Sequence, residues 1–256
     1  MHTPLLELHG RIALVTGGSR GLGRAMALGL AAAGADLVIA SRTLSDCQRV
    51  ATEITAMGRN ALAVRFDAER WDECNCLVEV AYQHYGRIDI LVNNAGIAPP
   101  MPALEETDEG LFERVMAVNF KTPFRLATLV GSRMATQDRG GSIINIGSGA
   151  AFIPEPPYAV YGAAKAALTA MTRALARAYA PKVRVNVLSP GPFNTEIRRE
   201  RLKGKPPDIT APAPEFQNAL QRLGQPEELV TSALYLASQA SSFTTGCVLR
   251  VDGGLL

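Results

Sequence analysis

Histidine is nearly missing from this sequence: three in 256 residues, at positions 2, 9 and 84. Histidines so scattered form no metal-ligand cluster. None lies beyond Ser148, so a histidine-based triad built on that serine is excluded. The residues around it, "GSGA", are not a G-x-S-x-G elbow either. Cysteine is sparse. Cys47, Cys74, Cys76 and Cys247 are too few for a disulfide framework, and Cys74-x-Cys76 lacks the second ligand pair of a zinc site. No metal is implied. Apolar runs are broken by Arg, Asp or Gly well short of the ~18 residues a membrane span needs. The opening "MHTPLLELHGRIALVTGG" has no basic region before its apolar part and no small-residue cleavage site. A globular, cytoplasmic chain is the expectation. Charge of either sign is modest, 26 Lys and Arg against 24 Asp and Glu, without the concentrated basic stripe that nucleic acid demands. The one basic cluster, "RRERLKGK" at 198–205, reads as a solvated helix or as a patch facing an acidic ligand.

What the chain does have is a rhythm. Hydrophobic residues make up 47% of it, and strand-like apolar runs at 11–17, 35–41, 61–67, 88–94, 141–148, 183–190 and 247–254 alternate with longer helical patterns. Alternation of this kind marks a parallel sheet with crossover helices. The strands are apolar on both faces, so helices must cover both, which a barrel fits less well. The prediction is an α/β fold: one doubly wound domain over 1–256, with a seven-stranded parallel sheet. The longest helical pattern, "EGLFERVMAVNFKTPFRLATLVGSRMA", reads as one helix. Residues 191–225 break the rhythm. A long proline-rich, charged stretch after a strand's C-terminal end is a candidate substrate lid.

"TGGSRGLG" at 16–23 joins the first strand to the first helix. Its glycines at 17, 21 and 23 allow a tight turn, close approach of a pyrophosphate and tight helix packing, beside free N–H groups at the helix start. The spacing is G-x-x-x-G-x-G, not G-x-G-x-x-G, and mere turn geometry would use the same glycines. Two arginines sharpen the reading. An acidic residue at the end of the second strand would hold ribose hydroxyls, whereas an arginine accommodates a 2′-phosphate. Here "VIASR" supplies Ser41 and Arg42, with Arg20 in the glycine turn, while Asp36 falls at the wrong end of the strand. NADP(H) is favoured over NAD(H).

In "YGAAK", Tyr161 and Lys165 stand four residues apart, so both project from one helix face. An exposed amphipathic pair would look the same as a phenol whose proton affinity is lowered by a cation. The wider order decides. "TGGSRGLG", Asp67, "NNAG" at 93–96, Asn119, Ser148, "YGAAK", "PGPFNT" at 190–195 and "VDGG" follow one another at suitable spacing. In this the chain resembles the short-chain dehydrogenase/reductase family over nearly its whole length, including its 3-oxoacyl-acyl-carrier-protein reductase and gluconate 5-dehydrogenase-like members.

The resemblance implies a Rossmann-type NADP(H)-binding domain and an oxidoreductase that interconverts a ketone or aldehyde and an alcohol. It makes Asn119, Ser148, Tyr161 and Lys165 catalytic. It puts the cofactor on Gly17, Ser19, Arg20, Gly21, Leu22, Gly23 and Arg42, with Asp67 and Ala68 at the adenine. Asn94, Ala95, Gly96, Tyr161 and Lys165 line its middle, and Pro190, Gly191, Phe193 and Thr195 orient the carboxamide. Asn93 is assigned to holding the central strands together. A homotetramer built partly on the helices of Asn119 and Tyr161 is also implied, acting on a small molecule with no nucleic-acid or membrane partner. A non-catalytic NADP(H) sensor of the same fold is the competing reading. The expected substrate walls are Ile97, Pro99, Pro100, residues 149–157 and the lid. Two departures stand out. "YAPKVRVN" lacks a turn glycine, which leaves the start of the sixth strand open, and Gly162 replaces the usual serine or alanine, which should only loosen the helix.

Overall fold

The computed structural model describes residues 5–101, 103–153, 155–195 and 218–255. Its strands are β1 (Ile12–Thr16), β2 (Asp36–Ser41), β3 (Ala61–Arg65), β4 (Ile90–Asn93), β5 (Gly141–Ile146), β6 (Val183–Pro190) and β7 (Val248–Val251). They form one sheet in the order β3-β2-β1-β4-β5-β6-β7, and every neighbouring pair is parallel. All seven expected strands are present. The sixth begins at Val183, directly after the Ala180-Pro181 turn.

Among the described residues, seven α-helices pack on this sheet: α1 (Gly21–Ala32), α2 (Leu44–Ala56), α3 (Trp71–Tyr85), α4 (Glu109–Met116), α5 (Thr122–Thr136), α6 (Ala159–Ala178) and α7 (Val230–Ala237). Successive strand residues point to opposite faces, so each continuous apolar strand feeds two cores. Ala13, Val15, Leu37 and Ile39 pack with Met26, Leu30, Val50 and Leu236 of α1, α2 and α7. Leu14, Val38 and Leu91 pack with Leu77, Val130 and Leu168 of α3, α5 and α6. Burying a Val, Leu or Ile side chain stabilises by ~1.5–3 kcal/mol, and both layers depend on the alternation. No helix among the described residues is long and apolar enough to cross a membrane.

The single helix expected over 109–135 is helical throughout but not uniform. A π turn at Ala117–Lys121 separates α4 from α5. It is centred on Asn119, whose side-chain Nδ2 donates to the Val115 carbonyl one turn back at 2.9 Å. Side-chain insertion into the backbone ladder is a recognised cause of such bulges. Most of the candidate lid, residues 196–217, including the basic cluster at 198–205, lies outside the described residues. Its described flanks are pinned: Phe193 bridges to Gly224, and Asn218 to Leu255.

The two central strands are joined by side chains as well as by their ladder. Asn93 Nδ2 on β4 donates to Asn145 Oδ1 on β5 at 2.9 Å, and Asn145 Nδ2 donates to Thr172 Oγ1 on α6 at 2.9 Å. All three residues are buried. Asn145→Ala removes both bonds and leaves their partners short of water, so it should lower unfolding stability by about 2–3 kcal/mol. Urea denaturation checks this, with an unchanged m-value as the sign that only stability moved.

Candidate active site

Between β1 and β4 the strand order reverses, and the connections leave their C-terminal ends in opposite directions, opening a crevice. One cleft fills it. The cleft is lined by the whole set of residues assigned to the cofactor, from Gly17 to Gly23 through Arg42, Asp67, Ala68, Asn94, Ala95 and Gly96 to Pro190, Gly191, Phe193 and Thr195. Ser148, Tyr161 and Lys165 close its other end. Phe66, Ala98 and Val118 also line it, without any local sequence signal to announce them.

The glycine turn is built by close approach. Gly17 has a φ of 62°, and a Cβ there would come within 2.8 Å of Asn94 Nδ2. A Cβ on Gly23 would meet the Gly17 carbonyl oxygen at 2.1 Å. Gly23, on α1, is thus packed tightly against the turn that follows β1, as the tight helix packing expected of these glycines requires. The turn ends at a helix start with no side-chain cap at Arg20 and no acid in the first turn of α1. Its first N–H groups and the positive end of its dipole face the cleft, which suits a diphosphate.

Beside it, β2 ends at Ser41 with no carboxylate. Arg20 and Arg42 line the cleft as exposed residues, and Arg42 makes no ion pair among the described residues. Ser41 Oγ lies 3.0 Å from Cys47 Sγ. Asp36 sits at the opposite end of β2, where it accepts from Arg59 at 2.6 Å and from the Asn60 N–H at 2.8 Å. It is unavailable to the cleft. Across from the arginines, the Asp67 N–H donates to Glu73 Oε2 at 2.7 Å, and Asp67 Oδ1 accepts the Glu69 N–H at 3.0 Å. Glu73, which sequence reasoning missed, therefore fixes the Asp67 turn.

At the other end, Ser148 follows β5 and caps a 3₁₀ turn over Gly149–Ala151, its Oγ accepting the Ala150 N–H at 3.2 Å. That bond occupies one lone pair and leaves the hydroxyl proton to donate into the cleft. Lys165 is buried, its Nζ donating to the Ile146 carbonyl at 2.8 Å and lying 5.8 Å from the Tyr161 ring centroid. Burial pulls its pKa from 10.5 down to about 8. It still carries its charge at neutral pH. Asn119 is wholly buried and does not line the cleft. Its Nδ2 holds the Ile97 carbonyl at 2.8 Å, while its Oδ1 has no partner among the described residues. A Cβ on Gly96 would stand 3.1 Å from that Oδ1 and 3.9 Å from Lys165 Nζ, so the glycine keeps the space between them open.

Two expectations need correction. Of the expected substrate walls, Ile97 lines the cleft, but neither Pro99 and Pro100 nor the described residues of 149–157 do. Gly162 does more than loosen a helix: a Cβ there would meet the Ala150 carbonyl oxygen at 2.8 Å, so its absence lets α6 approach the turn beside Ser148.

An uncapped helix start, two arginines lining the cleft and a buried lysine beside a phenol, all on one crevice of a doubly wound sheet, are the features of an oxidoreductase of the dinucleotide-binding class. Residues 17–256 match the family described as Enoyl-(Acyl carrier protein) reductase. An oxidoreductase of Mycobacterium tuberculosis is 39% identical over 251 residues, covering 98% of this chain and 94% of that protein. A crystal structure described as a putative NAD(P)-dependent gluconate 5-dehydrogenase from Beutenbergia cavernae, with NADP bound at low occupancy, superposes with a TM-score of 0.86 at 36% identity and 98% coverage of both chains. A 7α-hydroxysteroid dehydrogenase in complex with NADH and 7-oxo glycochenodeoxycholic acid superposes at 0.89 with 31% identity, covering 100% of this chain and 98% of the other. The chain belongs to the short-chain dehydrogenase/reductase family, whose members bind NAD(P).

The lysine sets a pH signature on the protein alone. Its folded pKa is depressed, so between about 8 and 10.5 the unfolded chain holds more protons than the folded one. Its destabilising effect is complete below pH 8 and is relieved as pH rises toward 10.5. Relative to Lys165→Met, the wild type should gain about 2–3 kcal/mol of stability between pH 7 and pH 10. Paired denaturation curves check this, and a pH-independent difference would contradict it.

Proposed function

We propose that the protein is an NADP(H)-dependent oxidoreductase that interconverts a ketone or aldehyde and an alcohol. The observation that carries this is one cleft with two differently built ends. One end offers an uncapped helix start with Arg20 and Arg42, and the other offers Ser148, Tyr161 and Lys165. The residues fit the cofactor. Gly17 and Gly23 let the turn close on itself and on Asn94, where a Cβ would stand 2.8 Å or less from its neighbours, and Gly96 keeps space open beside Asn119 and Lys165; the α1 N–H groups suit its diphosphate, and Arg42 suits a 2′-phosphate. When bound, the nicotinamide supplies or accepts the hydride.

The protein's own residues handle charge and proton. Reduction of a carbonyl builds negative charge on its oxygen, so that oxygen needs a hydrogen-bond donor and then a proton. The Ser148 hydroxyl, held by its cap to Ala150, is the donor that orients it. Tyr161 delivers the proton from its phenol, and in the oxidative direction takes it back. A free phenol, with a pKa near 10, is a poor base at neutral pH. The adjacent Lys165 ammonium favours the phenolate, and it is fixed by the Ile146 carbonyl, not by a mobile surface partner. Asn119 acts by holding Ile97 and the bulge between α4 and α5 in place.

Two variants test the reading. Tyr161→Phe keeps the ring and the cofactor contacts but loses the proton, so turnover of a carbonyl panel should fall at least ~10²-fold with NADPH affinity unchanged. Near-normal turnover in the variant would contradict the assignment, whereas no turnover by the wild type across the panel would favour a binding protein. Arg42→Ala should weaken NADPH by about tenfold or more while leaving NADH nearly untouched. Fluorescence titration with both cofactors measures this, and equal losses would remove the 2′-phosphate contact.

A further inference from the structure

The turn that carries Ser148 is gripped from two sides by residues outside the chemistry just described. Ala151 and Phe152 donate their N–H groups to the Ser148 and Gly149 carbonyls at 3.1 and 2.9 Å, and Ile153 donates to Gly149 at 3.0 Å. From beneath, α6 reaches this turn through Gly162, where a Cβ would stand 2.8 Å from the Ala150 oxygen. From outside, the Leu255 side chain lies against Gly149, its Cδ2 within 2.8 Å of where a Cβ would be.

Arg250 ties the outer side together. Its β7 neighbours Leu249 and Val251 pack on the α1 and α7 core, so strand alternation turns Arg250 to the other face, the one covered by α6. There its guanidinium carbon lies 5.8 Å from the Phe152 ring centroid. Its Nε donates to Asp252 Oδ2 at 2.7 Å, and another of its nitrogens donates to the Leu255 carbonyl. One planar group thus holds a carboxylate, a backbone carbonyl and an aromatic face together. Phe152 remains 45% exposed, a large ring four residues after Ser148 that meets the Arg250 guanidinium.

We propose that Arg250 is a positioning residue. By fixing Phe152 and Leu255 against the 149–153 turn, it sets Ser148 relative to Tyr161. The inference rests on the carbonyl–alcohol reading above, and its test has one arm that does not.

The experiment uses the full chain as wild type, Arg250→Ala, Arg250→Lys and Phe152→Ala. Amide hydrogen exchange without substrate is the first arm. Exchange across 151–153 should rise about five- to tenfold in R250A, the scale of a lost surface cation–π contact together with an ion pair. R250K should not restore protection, because an ammonium cannot serve three partners in one plane. Peptides covering the glycine turn at 16–23 should not change. The second arm is NADPH-dependent turnover of one small and one bulky ketone. R250A and F152A should each lose about threefold or more in kcat on both ketones with NADPH affinity intact. Unchanged exchange at 151–153, recovery in R250K, or a rise spread equally over the glycine turn would each overturn the proposal. If wild type turns over no carbonyl or alcohol, the functional reading fails, and the exchange arm still decides whether Arg250 holds the turn.

Discussion

The site depends on one buried hydroxyl. Thr16 is the last residue of β1, and the β1–β4 ladder ends one residue earlier, at Val15 opposite Val92. Where the ladder stops, side chains take over. Thr16 Oγ1 donates to the Val92 carbonyl at 3.4 Å and accepts the N–H groups of Asn94 and Ala95 at 3.0 and 3.1 Å. Asn94 Nδ2 answers by donating to the Thr16 and Gly17 carbonyls at 2.9 and 3.0 Å. Two diverging segments are thereby locked at the one place where the sheet leaves room for a ligand. The glycine turn cannot move relative to the 94–96 segment without leaving buried polar groups unpaired, each costing about 1–3 kcal/mol.

Two buried charges at opposite edges of the sheet are matched differently. At the N-terminal edge Asp89, nearly inaccessible, accepts from Arg11, Arg87 and the Ile12 N–H, so its charge is fully matched. At the C-terminal edge Lys165 is equally buried but has only a carbonyl, and Asn119 keeps a buried oxygen without a partner among the described residues. A protein selected for stability alone would not bury an ammonium against a single neutral acceptor. A buried ammonium held by a neutral carbonyl beside an open cleft is what a site prepared for a ligand looks like.

The architecture was legible because its signals are local. Strand runs, their spacing and the crossover pattern give a doubly wound sheet, and the turn glycines with Arg20 and Arg42 mark one end of the crevice. What was not legible depends on distances between remote segments. No periodicity distinguishes an α turn from a π turn, so the bulge at Asn119 was hidden inside a good helical pattern. Asn94 looked like a lining residue, yet its amide is spent on holding the glycine turn. Glu73 is an ordinary first-turn acid of α3 until β3 brings Asp67 and Arg65 to it. Gly162 looked like a mild helix defect because the residue it makes room for, Ala150, approaches only in three dimensions.

The same distinction explains why the cofactor end of such a cleft is readable and the substrate end is not. The diphosphate site is made of backbone, and backbone geometry leaves a trace in sequence as obligatory glycine. Gly17, Gly23 and Gly96 are each required by a contact shorter than or near 3 Å. The segments around Ser148 meet only through packing: Ile97 after β4 lines the cleft, and Leu255 and Gly162 stand against the turn that follows Ser148. Such contacts can change residue by residue without disturbing the sheet. The serine and the phenol can therefore stay fixed on their scaffold while the side chains around them vary.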